Sequence, residues 1–323
     1  MNRAHASIDI GSNTLRLLIA RPATDRNSIE PWDELAYAHH IARLGEGLHH
    51  SGRLSDAGMD RCVKALHEFR NLIDAQQIAP EQVFAVATAA VREAANGEAF
   101  RKRVLRECGI DIDIISGDEE ASRSLQGSAS VLNSDTRNDM LLFDIGGGST
   151  EFIRADAGGM IDGISCKLGV VRLVETHLHS DPPSTDDFMA MKEAASLHLD
   201  AVEKHWRQQS EHAPKSLVGT AGTVTTLAAV QLDMTTYDAH RINNHVMQRD
   251  EFTELKERLL AMNHAEREKV PSIESGRADL IIAGLAIIEA IMERWNYPAL
   301  ISVDAGLLEG NWLRSYADNT PKL

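Results

Sequence analysis

Residues 9–14 (DIGSNT) and residues 144–150 (DIGGGST) are two versions of one motif, and they decide the fold of this chain. Each motif ends an apolar run and leads directly into another extended segment, which is the pattern of a phosphate-binding hairpin. Glycine lets the main chain approach a phosphate closely, with backbone N–H groups directed at it. The aspartate that opens each motif can hold a cation that phosphate oxygens also require. The pair of motifs therefore predicts two similar halves that face a shared phosphate site.

The elements predicted around the two motifs also repeat. From Ser7 the pattern predicts three strands and then helices and strands in alternation, and from Met140 it predicts three strands, helices and a strand again. Ser55 is the predicted N-cap of the first helix. After Gly222 the pattern is mostly helical, with one more short strand and a closing helix. The repeated order predicts an α/β fold made of two related parts.

The length of 323 residues exceeds the usual size of a single core, so two domains are expected. The repeat places them at residues 1–123 and 124–305, with a closing helix at about 306–323 that packs back on the first domain. No low-complexity linker or charge run separates the two, which predicts that the domains pack closely around a cleft.

Charge and composition exclude several classes of function. The formal net charge is −15 at pH 7, so non-specific binding to duplex nucleic acid is not expected. No apolar stretch approaches the roughly 20 residues of a membrane span, and the N-terminus has no signal-peptide core. Cys62, Cys108 and Cys166 lack metal-ligand spacing and are interpreted as reduced core or surface thiols. A cytoplasmic protein with no membrane or duplex partner is therefore expected.

Six stretches of the chain resemble, in the same order, those of the exopolyphosphatase/guanosine-pentaphosphate phosphatase (Ppx/GppA) family. They are residues 9–19 (DIGSNTLRLLI), 87–97 (ATAAVREAANG), 115–121 (ISGDEEA), 144–151 (DIGGGSTE), 168–173 (LGVVRL) and 219–229 (GTAGTVTTLAA). The resemblance is collinear from Ala6 to about Gly310. Six motifs in family order are far more specific than a single glycine loop.

The resemblance implies a fold of the actin/hexokinase/Hsp70 (ASKHA) type, with two ribonuclease-H-like domains and an inter-domain cleft. It implies an exopolyphosphatase, which releases orthophosphate from the end of inorganic polyphosphate, or else a pppGpp 5′-phosphatase. Longer members add a helical part, and because this chain shows no His-Asp pair it resembles the short, two-domain form. Relatives often pair, so a homodimer is expected.

Hydrolysis of a phosphoanhydride requires neutralised phosphoryl oxygens, a water held in line and a base oriented toward that water. Asp144 and Glu151 lie at the two ends of the second glycine loop, so both carboxylates can face one cation. Mg²⁺ is the expected ion because it prefers oxygen ligands, with Mn²⁺ and a monovalent cation such as K⁺ as alternatives. Asp9 is predicted to complete the metal's shell, directly or through water.

Glu120 is the predicted catalytic base, chosen over Glu119 because it matches the family position immediately before Ala121. Neighbouring helix positions differ by ~100° in direction, so only one of the two carboxylates is expected to face a given water. Arg92 follows a strand and is predicted to act on phosphate, since a guanidinium is a rigid fork of donors. The predicted substrate-binding residues lie in the two hairpins and two later loops: Ser12, Asn13, Thr14, Arg16, Gly146, Gly147, Gly148, Ser149, Thr150, Gly222 and Arg277.

Each assignment has a structural alternative. An aspartate between a strand and a turn, such as Asp9 or Asp144, often bonds only its own backbone. Glu119 and Glu120 also suit the first turn of a helix, where carboxylates complement the helix dipole. Arg92 fits the role of an ordinary surface cation as well. Two other classes of function stay open: a non-hydrolytic, actin-like sensor of nucleotide or polyphosphate, and a kinase of the same fold.

Two departures from the family pattern bear on specificity. After Ala121 most relatives have arginine, whereas this chain has Ser122 followed by Arg123, which helix geometry aims elsewhere. Near the end of the chain, Val303 and Leu308 stand where relatives tend to have serine and arginine. None of these positions is a predicted metal ligand or the predicted base, so hydrolysis is still expected. Chain-length preference is the property that the departures affect most.

Overall fold

The structure is a computed structural model that describes residues 3–25, 28–207 and 213–319. Its strands are β1 (His5–Ile10), β2 (Thr14–Pro22), β3 (Trp32–Ile41), β4 (Val83–Ala87), β5 (Ile112–Ile114), β6 (Asp139–Ile145), β7 (Thr150–Asp156), β8 (Gly159–Cys166), β9 (Ser216–Thr220), β10 (His245–Gln248) and β11 (Ala299–Ser302).

Its helices are α1 (Leu48–Ser51), α2 (Asp56–Ala75), α3 (Ala89–Glu93), α4 (Gly97–Cys108), α5 (Gly117–Val131), α6 (Ser134–Arg137), α7 (Val170–His177), α8 (Thr185–Arg207), α9 (Ala221–Gln231), α10 (Ala239–Ile242), α11 (Arg249–Leu260), α12 (His264–Arg267), α13 (Leu280–Arg294) and α14 (Leu307–Asn319). No helix in these described ranges is long and apolar enough to cross a lipid bilayer.

Contacts along the chain divide it into two units. The first unit comprises residues 1–131 and 305–323, and the second comprises residues 132–304. The predicted boundary between residues 123 and 124 falls inside α5, a helix that lies wholly in the first unit.

The first unit is built on a five-stranded mixed sheet with the order β3-β2-β1-β4-β5. β1, β2 and β3 form an antiparallel meander, whereas β4 pairs parallel to β1 and β5 pairs parallel to β4. β1 is buried along its whole length, as expected for a central strand.

The predicted first helix, α2, begins where the sequence indicated. The side chain of Ser55 accepts a hydrogen bond from the backbone N–H of Gly58, which satisfies one donor of the first turn. The helix buries a stripe of Cys62, Leu66, Phe69 and Ile73 in the first unit's core, together with apolar residues of β1 and β2. The period of three and four residues thus placed this helix correctly against the sheet.

The last helix, α14, packs on α5 and on β1 within the first unit. The backbones of α5 and α14 meet directly, because a Cβ on Gly127 would lie 2.0 Å from the carbonyl oxygen of Gly306. A Cβ on Gly310 would likewise lie 1.8 Å from the carbonyl oxygen of Arg123. Any side chain at either glycine would push the two helices apart.

The second unit is built on a six-stranded sheet with the order β10-β11-β9-β6-β7-β8. Read from β8, the first five strands repeat the order and the directions of the first sheet, with β6 in the place of β1. The predicted α/β fold with two ribonuclease-H-like sheets is confirmed. The short edge strand β10 was not predicted, since its four residues carry only two apolar side chains.

The core of the second unit forms around α13, which is buried over most of its length and packs on α7 and α8. Its residues Ile281, Leu285, Ile288 and Met292 all lie in the main core cluster, so the stripe they form is packing surface. Gly284 lets α13 approach α9, because a Cβ there would lie 2.1 Å from Cγ2 of Thr223.

Candidate functional site

The first hairpin joins β1 to β2 through residues 11–13, and its register sets Asp9 directly opposite Arg16. Nη2 of Arg16 donates to Oδ2 of Asp9 at 2.7 Å, and Nε donates to the same oxygen at 3.2 Å. The other carboxylate oxygen, Oδ1, is buried and has no hydrogen-bond partner among the described residues. The sequence predicts Arg16 as a substrate ligand and Asp9 as a metal ligand. In the structure the two side chains form an ion pair with each other.

The charge of Arg16 is secured by its neighbours. Burial on its own lowers the pKa of the guanidinium, but the carboxylates of Asp9 and Glu309 raise it, and the net pKa lies well above its ordinary value. Arg16 is therefore a permanent counterion for Asp9.

The turn of the first hairpin is fixed by the chain that follows β3. The N–H of Gly11 donates to the carbonyl of Thr14 at 3.0 Å, which closes the turn. The carbonyl of Ser12 accepts from the N–H of Gly45 at 2.7 Å, and the carbonyl of Asn13 accepts from the N–H groups of residues 42 and 43. The turn's carbonyls are thus directed into the protein, as a backbone cradle for an anion requires.

The predicted base and the predicted phosphate-binding arginine lie together in the first unit. Nη1 of Arg92 donates to Oε2 of Glu120 at 3.1 Å and to the carbonyl of Ile115 at 2.8 Å. Glu120 is 7% exposed, whereas the side chain of Glu119 is 43% exposed and pairs with Arg123. The two adjacent glutamates therefore face different surroundings, as the helix geometry predicted.

The second hairpin joins β6 to β7 through residues 146–149, and its register sets Asp144 directly opposite Glu151. These two carboxylates occupy the same places as Asp9 and Arg16 in the first hairpin. Asp144 is 8% exposed and Glu151 is 1% exposed. Oε1 of Glu151 accepts a hydrogen bond from the hydroxyl of Ser165 on β8 at 2.7 Å. Ser165 was not singled out by the sequence, because a lone serine inside a strand carries no signal of its own.

The turn of the second hairpin is held by the start of α7. The N–H of Gly146 donates to the carbonyl of Ser149 at 2.9 Å, which repeats the closing bond of the first turn. The carbonyls of Gly146 and Gly147 accept from the N–H groups of Val170 and Val171 at 3.1 and 3.0 Å. A Cβ on Gly169 would lie 2.2 Å from the carbonyl oxygen of Gly147, so only glycine fits over the turn.

Thr150 occupies a different setting from the other predicted residues of the second turn. Its side chain is fully buried, and its hydroxyl donates to the carbonyl of Leu168 at 2.5 Å. This bond ties β7 to the chain that follows β8. Its predicted contact with substrate stays a prediction.

Gly222 and Arg277 lie together at the start of α9. A Cβ on Gly222 would lie 2.1 Å from Nη1 of Arg277, so the guanidinium packs directly on the glycine backbone. Nε of Arg277 also lies 3.0 Å from Oε2 of Glu274 and makes no hydrogen bond among the described residues. Ala221 has φ of 69°, a left-handed conformation that is strained for alanine. Such strain at the first residue of a helix marks a loop whose shape the fold imposes.

The three cysteines are all free and buried in the structure. Burial raises the pKa of the Cys62 thiol to about 12. Burial, and then the charge of Glu151, raises the pKa of the Cys166 thiol to about 11. These thiols are therefore protonated at neutral pH and belong to the core.

Comparisons with other proteins place the chain in a family. A model of the Ppx/GppA phosphatase family matches residues 31–318. Exopolyphosphatase 2 of Mycobacterium tuberculosis is 32% identical over 94% of this chain and 96% of its own length. The bifunctional 3-dehydroquinate synthase/phosphatase of Fusobacterium nucleatum is 31% identical over 93% of this chain, and the chain spans only 45% of that protein's length.

Two solved structures share the fold over nearly their whole length. The Ppx/GppA family member of Aquifex aeolicus has a TM-score of 0.79 and 29% identity, with 98% of each chain covered. An exopolyphosphatase of Cytophaga hutchinsonii has a TM-score of 0.88 and 26% identity, with 98% of this chain and 99% of that one covered. With the matched family model and the identity to the mycobacterial relative, these results show that the chain belongs to the Ppx/GppA phosphatase family.

Proposed function

We propose that this protein is an exopolyphosphatase that uses Mg²⁺ to hydrolyse the terminal phosphoanhydride of inorganic polyphosphate and release orthophosphate. Family membership supports phosphatase chemistry in general. The names of two relatives, the mycobacterial and Cytophaga exopolyphosphatases, support polyphosphate as the substrate. The pppGpp 5′-phosphatase activity implied by the family resemblance is the alternative that the experiment below must separate.

The observation that carries the proposal is the pair of carboxylates in the second hairpin. Asp144 and Glu151 lie directly opposite each other, and both are less than a tenth exposed. Like charges at directly opposed positions of a sheet repel, and burial strengthens that repulsion. A hard divalent cation offsets it, and carboxylate oxygens are the ligands that Mg²⁺ prefers. Asp144 and Glu151 therefore fit a metal and would hold it.

Bound there, Mg²⁺ would neutralise phosphoryl charge and lower the barrier to attack by water. The hydroxyl of Ser165 would keep Glu151 in a fixed orientation through its 2.7 Å hydrogen bond. Asp9 has its Oδ2 committed to Arg16, so only its Oδ1 is left for a ligand's role. Its predicted contribution to the metal, directly or through water, is therefore limited to that oxygen.

Glu120 would accept the proton of the attacking water. Its burial and its hydrogen bond with Arg92 hold the carboxylate in one orientation, which a general base needs. Arg92 is half-buried and has one guanidinium nitrogen, Nη1, committed to Glu120 and Ile115. Its remaining donors suit phosphate oxygens. The glutamate and the arginine would therefore act as one catalytic pair.

The turns of the two hairpins would bind phosphate through their backbone. Both turns are closed by the same hydrogen bond and have carbonyls bonded to neighbouring segments. In each turn an anion would meet N–H groups at a position where glycine permits a close approach. Such a cradle binds any phosphate end, so it supports hydrolysis of a chain terminus and does not by itself distinguish polyphosphate from pppGpp.

The test is the release of orthophosphate from long polyphosphate, tripolyphosphate, pppGpp and ATP, with Mg²⁺, with Mn²⁺ and with a chelator. We expect the highest kcat/KM on polyphosphate and loss of activity in the chelator. The matched variants are Glu120→Gln and Glu119→Gln, which change adjacent carboxylates in the same helix turn. Loss of a general base lowers kcat on the order of 10² to 10⁴-fold, so Glu120→Gln should show that loss and Glu119→Gln should stay within a few-fold of wild type.

Three outcomes would contradict the proposal. A higher kcat/KM on pppGpp than on polyphosphate would assign the protein to the alternative substrate. Binding of polyphosphate or nucleotide without hydrolysis, under varied metal and pH, would favour a sensor. Transfer of phosphate from ATP to an added sugar or acetate would favour a kinase.

A further inference from the structure

Arg123 follows Ser122, the position where most relatives have arginine, and the structure gives Arg123 a place in the first unit. Its side chain is only 8% exposed. Nη2 lies 3.3 Å from Oε1 of Glu119, and Nη1 donates to Oδ1 of Asn311 on α14 at 2.8 Å. This arginine is therefore held by a residue that is 188 positions away in the sequence.

Asn311 is 4% exposed and uses both ends of its amide. Oδ1 accepts from Arg123, while Nδ2 donates to the hydroxyl of Ser7 at 3.0 Å and to the carbonyl of Phe84 at 3.0 Å. Ser7 in turn donates to the carbonyl of Leu308, one turn earlier on α14. One buried amide thus bonds α5, β1 and β4 at the same time.

Each of these three elements carries or leads to a residue of the candidate site. Arg123 is one helical turn from Glu120 on α5, and residues at that spacing share a face. Ser7 precedes Asp9 by two positions on β1, so both lie on the same face of the strand. β4 ends at Ala87 and leads into α3, where Arg92 lies.

We propose that Asn311 is a positioning residue for hydrolysis, which sets the place of Glu120 relative to Asp9 and Arg92 by fixing α5 against β1 and β4. The inference rests on the proposed function. Arg123, one position after Ser122 on α5, stands where its guanidinium meets this amide.

Polar bonds accompany the close packing of these elements. α5 and α14 meet backbone to backbone at Gly127 and Gly310, and the bond from Arg123 to Asn311 joins the two helices beside that contact. A cavity of about 630 Å³ lies beside Arg123, Asn311 and Arg314, with β4 and β5 forming its floor. An arginine at the wall of a cavity has few packing partners on that side, and its hydrogen bonds carry its orientation.

The test compares Asn311→Leu with Ser315→Ala. Ser315 is a second buried polar residue of α14, one helical turn after Asn311. Ser315 donates to the carbonyl of Trp312 and lies 3.4 Å from the ring nitrogen of His5 on β1. A milder variant, Asn311→Asp, keeps an acceptor for Arg123 and loses both donors of the amide. Each is measured for kcat and KM on polyphosphate and for amide hydrogen exchange in residues 117–123.

We expect Asn311→Leu to lower kcat on the order of 10- to 10²-fold with KM within about threefold of wild type, because a small displacement of a base costs rate rather than binding. Asn311→Asp should fall between this variant and wild type. Ser315→Ala should leave kcat within about twofold. Exchange in residues 117–123 should be faster in both Asn311 variants and unchanged in Ser315→Ala.

Two results would overturn the proposal: an equal loss of kcat in Asn311→Leu and Ser315→Ala, or unchanged exchange in residues 117–123 of a folded Asn311 variant. Failure of the proposed function has a different signature, which is wild-type protein without phosphatase activity. In that case, hydrogen exchange in residues 117–123 still tests whether Asn311 fixes the position of α5.

Discussion

The two hairpins have the same backbone pairing around their turns and differ in the residue that lies opposite the leading aspartate. In each, the aspartate is the last residue but one of the first strand, a glycine N–H closes the turn at 2.9 to 3.0 Å, and a residue of the return strand lies directly opposite the aspartate. That opposite residue is Arg16 in the first hairpin and Glu151 in the second. The first hairpin therefore sets its aspartate opposite a cation, whereas the second sets two carboxylates opposite each other.

The repeated motif predicts the same role for both hairpins, and this difference in charge separates them. Asp9 is neutralised by a permanently charged guanidinium, so its turn can bind phosphate without a metal. Asp144 and Glu151 concentrate negative charge in a nearly buried place, which favours a divalent cation. The same hairpin geometry thus carries opposite charges at equivalent positions, Arg16 in one unit and Glu151 in the other.

The largest effect is expected from Glu151→Arg, which copies the first hairpin onto the second. An arginine opposite Asp144 would neutralise it and remove the proposed metal site. Loss of several kcal/mol of metal stabilisation corresponds to a fall in kcat of about 10²-fold or more. Titration calorimetry with Mg²⁺ and steady-state kinetics would measure both effects.

The control is Glu151→Gln, which removes the charge without supplying a cation. In the absence of metal, Glu151→Arg should be the more stable of the two variants. Full activity and undiminished Mg²⁺ binding in either variant would show that the second hairpin does not hold the metal.

The next effect is expected from Arg16→Glu, which copies the second hairpin onto the first. Asp9 would then face a carboxylate at close range with little solvent. Breaking a largely buried ion pair costs roughly 3 kcal/mol or more in the free energy of unfolding. Urea denaturation with and without Mg²⁺ would measure it, and Mg²⁺ should restore part of the loss.

Arg16→Gln is the comparison for this variant, because it also leaves Asp9 without its cation but offers no second carboxylate. Mg²⁺ should restore much less of its stability. Equal recovery of both variants in Mg²⁺ would mean that the ion acts elsewhere on the protein.

A smaller effect should distinguish the segments that cover the two turns. A Cβ on Gly169 would meet backbone atoms of Gly147 and Gly148 at 2.2 to 2.5 Å, whereas a Cβ on Gly45 would meet the Cβ of Ser12 at 3.1 Å. Gly169→Ala should therefore cost about 1–3 kcal/mol through overpacking, and Gly45→Ala should cost less. Chemical denaturation of the two variants would test this order, and equal losses would show that both turns are covered equally tightly.

The smallest effect concerns the equivalent positions four residues before Asp9 and Asp144, which are buried His5 in β1 and buried Met140 in β6. Burial lowers the pKa of His5 from its ordinary value of 6.5, so the unfolded chain binds the proton more readily. Stability should therefore fall as pH drops below about 6.5, through the interval down to the lowered pKa of the folded state.

His5→Met copies the second hairpin at this position and removes the titrating group. Thermal denaturation between pH 5 and 8 should show a shallower loss of stability on the acid side than in wild type. An unchanged profile would place the acid sensitivity in other groups.

Much of the fold could be predicted from the sequence because its signals are local. Ser55 capped the predicted helix, and the repeated Asp-Ile-Gly motif predicted two hairpins of the same shape. α4 begins and ends at the predicted residues, since Gly109 after it takes the left-handed conformation that stops a helix.

The rest depended on register and on contacts distant in sequence. Arg16 was predicted for substrate, yet turn length sets the strand pairing, and the pairing brings it to Asp9. The hydroxyl of Thr150 bonds Leu168 only because β8 ends beside β7. Asn311 gives no periodic or motif signal, and its importance emerges from three partners that lie far apart along the chain.

The position of α14 has a consequence for the order of events during synthesis. The first unit draws on both sequence extremes: Ser7 bonds Leu308, and the indole of Trp312 donates to the carbonyl of Ala20. The second unit is continuous, from residue 132 to residue 304. During synthesis, β1 and β2 leave the ribosome long before their packing partner α14. The second unit, by contrast, has all its residues synthesised before α14 is made. We therefore expect the second unit to reach its native packing first, against the usual N-to-C order of domain folding.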